Sequence, residues 1–195
     1  MIIKNIPPTQ DLFRITDVVS EGLAKRIVAH DWLNEPLTKQ EAQEEWTRWM
    51  VGDHYLLREM DAQLTLNINQ INQACNTNFF VAEGTRMWID PPGFTVPIHL
   101  DGVVGEIPAH IKGVPQAMQT FWVGQEETGT TFYAEAPEDI QAAEELIDNK
   151  TKVRYRFPFE KNTAYFMINT PTLWHGMLVP SKDYRFTTYT YFRER

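Results

Sequence analysis

His99 and Asp101 stand two positions apart in Pro97-Ile98-His99-Leu100-Asp101. Residues i and i+2 of a strand project from the same face, so an imidazole and a carboxylate are aimed at one volume. Two histidines and one carboxylate on one face of an octahedral ion leave the opposite positions open, an arrangement suited to non-haem iron(II) chemistry. A His-x-Asp is a weak signal by itself. Here Pro91, Pro92 and Gly93 turn the chain just before the pair and Gly102 breaks it just after, placing it at a strand end where sites gather.

The missing histidine must come from downstream, where the chain offers His110 and His175. His110 falls in the Gly- and Pro-rich segment 102–116, the best candidate for a long flexible loop, and is expected to be an exposed loop histidine rather than part of a lid. His175 lies in Asn169-Thr170-Pro171-Thr172-Leu173-Trp174-His175-Gly176-Met177, after one apolar strand and before another. Ten positions later comes Arg185, in Tyr184-Arg185-Phe186-Thr187-Thr188-Tyr189-Thr190-Tyr191. A planar guanidinium on an inward-looking, aromatic-rich strand needs an anionic partner and matches a carboxylate bidentately. An ion pair with one of the chain's own acids is the alternative. Thr187 shares the face of Arg185 and can add a hydroxyl hydrogen bond to the same carboxylate.

The elements that must position these residues divide the chain in two. Residues 1–78 read as mainly helical support. Leu57, Met60, Leu64, Ile68 and Ile71 recur at gaps of three and four, which predicts a helix over 53–76. Thr38, with Glu41 three residues on, predicts a capped helix over 38–50 through Trp46, ended by Gly52. Ser20 can cap a third over 20–30, with Leu23, Ile27 and Val28 facing inward. From residue 79 onward β-branched and aromatic runs are broken by Gly and Pro, predicting strands at 79–89, 96–101, 118–123, 130–134, 152–158, 163–169, 173–179 and 184–193. That number of strands with irregular links suits a jelly roll. Pro137, Glu138 and Asp139 open an inserted helix ending near Asn149, with Ile140, Ala143 and Leu146 as its inner stripe. The expected fold class is mainly β with N-terminal helices, in a single domain over 1–195.

The order His99-x-Asp101, His175, then Arg185 resembles the iron(II)- and 2-oxoglutarate-dependent dioxygenase superfamily. The stretches MWIDPPGFTVPIHLDG, MQTFWVGQEETGTTFY and INTPTLWHGM with YRFTTYTYF are similar to its prolyl-hydroxylase-like branch and to small oxygenases of phages and marine bacteria. The likeness covers roughly residues 85–193, and the spaced set is far more specific than any piece of it. It implies a double-stranded β-helix with helices packed on one sheet. It also implies iron(II) held by His99, Asp101 and His175, and 2-oxoglutarate bound by Arg185 with Thr187. Dioxygen would be the oxidant, and the reaction hydroxylation coupled to decarboxylation of 2-oxoglutarate to succinate. Members that halogenate carry a small residue in place of the carboxylate, so Asp101 points to hydroxylation. Two positions depart from relatives: Arg86 and Trp88 stand where many have a tyrosine contacting 2-oxoglutarate, and Tyr191 stands where the nucleic-acid-repair branch has a second arginine.

Composition removes several other classes. The net charge of −8 disfavours phosphate backbones as partners. One cysteine, Cys75, allows no internal disulfide, residues 1–9 lack signal-peptide character, and no stretch approaches the roughly 20 apolar residues of a membrane span. A cytoplasmic enzyme acting on a small-molecule or peptidyl substrate is expected, with prolyl side chains, amino acids and metabolites all open. The alternatives are a cupin-like metal-dependent isomerase, which would want a His-x-His absent here, and a non-catalytic jelly-roll binding module. Gln119 and Phe121 are candidates to line the barrel and Trp88, Trp122 and Trp174 to wall a substrate, though burial alone accounts for them. His30 and His54 receive no role.

Overall fold

The structure, a computed structural model, describes residues 1–7, 10–41, 47–100, 116–134, 153–168 and 173–194. Its strands are β1 (Ile2–Asn5), β2 (Leu12–Thr16), β3 (Thr38–Glu41), β4 (Thr47–Val51), β5 (Phe79–Asp90), β6 (Val96–His99), β7 (Gln116–Val123), β8 (Thr131–Tyr133), β9 (Val153–Arg156), β10 (Thr163–Met167), β11 (His175–Met177) and β12 (Arg185–Glu194). Among the described residues two α-helices join them, α1 (Glu21–Ala29) and α2 (Tyr55–Cys75). The larger sheet runs β1-β2-β10-β7-β12-β5-β4-β3 and the smaller β6-β11-β8-β9, with all neighbouring strands antiparallel.

The expected helix α2 forms because Leu57, Met60, Leu64 and Ile71 make one buried stripe. At its end Asn76 takes a left-handed cap, and the Asn72 side chain holds the Phe79 N–H and C=O at 2.7 and 3.0 Å, fastening α2 to β5. Ser20 caps α1 as expected, accepting from the Leu23 N–H. Both helices pack on one face of the large sheet, where Leu23, Ile27, Met60 and Leu64 meet Met87, Ile89, Met118 and Trp122. The other face of that sheet meets the small one across Phe121, Phe132, Phe157 and Tyr165. This is the expected mainly-β architecture with helices on one sheet.

The N-terminal third departs from expectation. The predicted helix over 38–50 is instead the hairpin β3–β4, and Trp49, Met50 and Val51 pair with Ile89, Trp88 and Met87 of β5. The Thr-Arg-Trp-Met-Val run alternates, so a strand puts Trp49 and Val51 against the helix-side core and Arg48 on the opposite face, a gain no isolated helix offers. Residues 1–16 hold two further strands, β1 and β2, so residues 1–78 are a mixed layer rather than mainly helical support. The inserted helix expected at 137–149, Trp46, and the loop 102–115 with His110 lie outside the described residues. Among the described residues no helix is long and apolar enough to cross a membrane.

Candidate active site

His99 ends β6 and His175 opens β11, and the two are direct cross-strand partners. Their ring centroids lie 4.5 Å apart. Each ring is fixed by its own backbone: Nδ1 of His99 donates to the Pro97 carbonyl at 2.8 Å and Nδ1 of His175 to the Leu173 carbonyl at 3.0 Å. A carbonyl oxygen only accepts, so in both rings the proton of the neutral form sits on Nδ1 and Nε2 keeps its lone pair. This is the tautomer a metal-ligating histidine needs, held by the kind of backbone acceptor that ordinarily orients such ligands. His175 is buried, with Phe132 stacked at 5.1 Å and Tyr165 edge-on at 6.2 Å, whereas His99 is half-buried. Gly176 permits the approach of the two strands, since a Cβ there would stand 2.7 Å from the Val96 carbonyl oxygen. Asp101 lies outside the described residues.

Behind the histidines a narrow cavity of about 10 Å³ is lined by Gln119, Thr130, Tyr165, Met177, Arg185 and Tyr189 as well as both rings. Its strands come from both sheets, and Arg185 brings the buried cation. The guanidinium is 1 % exposed, with Phe159 and Phe121 at 5.5 and 6.0 Å. Its Nε donates to the Thr128 carbonyl at 3.0 Å and its Nη1 to Oδ2 of Asp90, the residue directly opposite it on β5. Asp90 is wholly buried and spends Oδ1 on Arg48 of β4, whose Nε donates at 2.8 Å. Nη2 of Arg48 lies 2.8 Å from the same oxygen, within ion-pair range though off the hydrogen-bond direction. The internal acid considered as an alternative partner for Arg185 therefore exists, and it is Asp90. It takes only part of the guanidinium: the hydrogen bonds of Arg185 to Asp90 and Thr128 run through Nη1 and Nε, and two arginines against one aspartate leave the triad a net positive charge.

Thr187 is buried on the face of Arg185, but its hydroxyl accepts from Nε2 of Gln119 at 3.3 Å, and Gln119, not Thr187, lines the cavity. Thr130 donates to Oε1 of Gln119 at 3.0 Å and completes the chain. Of the three tryptophans, Trp88 lies under Arg48 beside the cavity, Trp122 is in the helix-side core with its N–H on Thr188, and Trp174 packs beside Ile98 and Tyr133. Phe121 belongs to the inter-sheet core. Asp90, Arg48 and Tyr165 escaped sequence reasoning. An acid ending the apolar strand Met87-Trp88-Ile89-Asp90 was the one available sign.

The 3-10 turn Glu126–Thr128 delivers the carbonyl that holds Arg185, and Gly129 follows it. A Cβ on Gly129 would stand 1.7 Å from the Phe157 carbonyl oxygen. Gly129→Ala is therefore expected to cost about 3 kcal/mol or more, because the turn and β9 must part. Gly52→Ala, with nothing within 4 Å, is the control. Equal urea midpoints for the two variants would contradict the close approach.

Two other places call for comparison. A larger recess of about 440 Å³ lies between Glu126, Tyr133, Arg156 and Leu178, on the side of β8 away from Phe132, and among the described residues no histidine lines it. His30, Glu35 and His54 offer ligand atoms within 4.8 Å of one another. Nδ1 of His54 accepts the Leu56 N–H at 3.3 Å, which puts the proton of its neutral ring on Nε2, facing Glu35. Burial, opposed by Glu35, holds His54 below the usual imidazole range and keeps it neutral. A metal at Nε2 would have to drive that proton onto Nδ1, against the helix cap. The cluster is a hydrogen-bonded root for the segment between α1 and α2. Cys75 is no nucleophile either, since burial pushes its thiol up to about 12.

No family model and no curated protein matches the sequence. Solved structures do match the fold. HygX from Streptomyces hygroscopicus, with nickel, 2-oxoglutarate and hygromycin B bound, is 12% identical with a TM-score of 0.63, over 94% of this chain and 83% of that one. A prolyl-4-hydroxylase of Pseudomonas putida is 14% identical with a TM-score of 0.62, over 96% and 94%. The viral collagen prolyl hydroxylase of Paramecium Bursaria Chlorella virus-1, in complex with 2-oxoglutarate, is 10% identical with a TM-score of 0.58, over 98% and 100%. At these identities the likeness is one of fold.

Proposed function

We propose that this chain is an iron(II) oxygenase that couples oxidative decarboxylation of 2-oxoglutarate to hydroxylation of a second substrate. The observation that carries the reading is one cavity lined by two cross-strand histidines, each locked with Nε2 as the basic nitrogen, and by a buried arginine whose bond to Asp90 uses Nη1 alone. The fold shared with HygX and the prolyl hydroxylases supports it.

His99 and His175 fit a divalent transition metal by donor type and tautomer, and Asp101, two positions after His99 in the sequence, would add the carboxylate. Bound iron(II), with 2-oxoglutarate and dioxygen, supplies the oxidising power, and succinate and carbon dioxide leave as products. The chain's own residues do the rest. Arg185 offers the rest of its guanidinium to the far carboxylate of 2-oxoglutarate and orients it lengthwise. Gln119 and Thr130 present amide and hydroxyl groups along the same wall, with Thr187 steadying Gln119. Phe132 and Phe159 keep water from the histidine and arginine ends. The second substrate is a prolyl side chain, a free amino acid or a small metabolite.

The test is anaerobic titration of the purified protein with iron(II) and 2-oxoglutarate, followed by succinate measurement in air. Joint binding and slow succinate release without added substrate are expected. In Arg185→Ala, 2-oxoglutarate binding should weaken by about tenfold or more while iron is retained. A protein that binds neither ligand, or an Arg185→Ala variant that loses iron but keeps 2-oxoglutarate affinity, would overturn the assignment.

A further inference from the structure

Arg48 sits outside the cavity lining, on the hairpin β3–β4, yet its contacts bear on how Arg185 is presented. Asp90 is a buried carboxylate with two oxygens, and a guanidinium is a fork built to take both. Were Arg185 its sole partner, the neutral bidentate pair would consume two N–H directions of that fork and cancel the positive charge. The structure shows a different division. Nε and Nη2 of Arg48 both stand at 2.8 Å from Oδ1, leaving Oδ2 alone for Nη1 of Arg185. Thr128 takes Nε of Arg185, and Arg185 lines the cavity.

Arg48 is itself held in place from the other side. Its guanidinium lies 4.3 Å from the Trp88 ring, 5.2 Å from Phe94 and 6.0 Å from Tyr189, which also lines the cavity. Stacking on Trp88 fixes the plane of the fork, so the claim on Oδ1 does not depend on a flexible chain end. We infer that Arg48 is a positioning residue for the co-substrate: by occupying one oxygen of Asp90 it keeps Arg185 monodentate on that acid and the triad net positive, which leaves part of the guanidinium for an incoming carboxylate. The inference rests on the functional reading above.

Two 2-oxo acids make the experiment. 2-Oxoglutarate carries the far carboxylate, and 2-oxobutyrate lacks it. Dissociation constants for both are measured anaerobically on iron(II)-loaded wild type, Arg48→Met and Arg48→Lys, with the iron constant measured alongside. In Arg48→Met the preference for 2-oxoglutarate over 2-oxobutyrate should fall about tenfold or more, with iron binding and 2-oxobutyrate binding little changed. Arg48→Lys restores charge but neither fork nor stacking, so its preference should fall between wild type and Met. If Arg48→Met does not fold, the Lys variant decides: a preference equal to that of wild type overturns the inference. So does a loss in which both acids weaken equally, since general damage to the pocket makes that pattern. Wild type that binds no 2-oxoglutarate would overturn the functional reading itself, whereas normal wild-type binding with an unchanged Arg48 variant sinks only this proposal.

Discussion

Asp90→Ala is expected to lower the unfolding free energy by about 3–5 kcal/mol, the cost of breaking a buried ion pair by removing one partner. Asp90 is 0 % exposed and Arg185 1 %, so water cannot replace the lost carboxylate without opening the inter-sheet core. Arg48 loses its anion in the same step, leaving two guanidinium groups against no charge of opposite sign in the triad. Asp90→Asn keeps the volume and one acceptor oxygen and should cost less, which separates the charge from the shape. Urea denaturation at constant m-value reads both. A loss below about 1 kcal/mol for alanine, typical of exposed pairs, would show that the triad is solvated in the working protein.

His175→Ala should weaken iron(II) binding by more than about a hundredfold, since even residues that merely orient a metal ligand are worth 10–100-fold. The variant also gives up the stacking on Phe132 and leaves the Leu173 carbonyl without its donor, so some stability goes with it. His99→Ala provides the control. His99 is half-buried and packs less deeply, so its removal should cut iron affinity comparably at a smaller loss of stability. Isothermal titration under argon, paired with a thermal melt, distinguishes the two effects. Iron affinity preserved in both variants would mean that the histidine pair is a packing feature.

The residues whose spacing reports chemistry were legible in the sequence, and those whose role comes from pairing were not. His99 and His175 announce themselves through strand-end context, and Arg185 through its place on an inward strand. Their meeting required β6 and β11 to be neighbours, which the resemblance implied and the strand pattern alone did not. Asp90 carries no spacing signal, because its partner lies 95 positions away and is found only through the β5–β12 register. Arg48 was hidden inside a segment misread as a helix. There Thr38 and Glu41 imitated a capping box, while the alternation over 47–51 gains its energy from pairing with β5, a tertiary contact that outweighs local propensity. Thr187 was placed on the correct face, yet which of two polar neighbours fronts the cavity is a matter of side-chain reach, and Gln119 is the longer.

The place of β12 in the large sheet bears on how the molecule assembles. It follows every other described strand in the chain, yet it lies between β7 and β5, paired along both. Before residues 185–194 are available, β1-β2-β10-β7 and β5-β4-β3 are two unjoined half-sheets, each with a bare edge of unsatisfied amides and carbonyls. Such edges recruit other chains. Inserting β12 between the two half-sheets is a long-range step, of a kind intrinsically slower than local helix formation. Arg185 enters with the first residue of that insertion, so the anion of Asp90 waits uncompensated by it until the sheet closes.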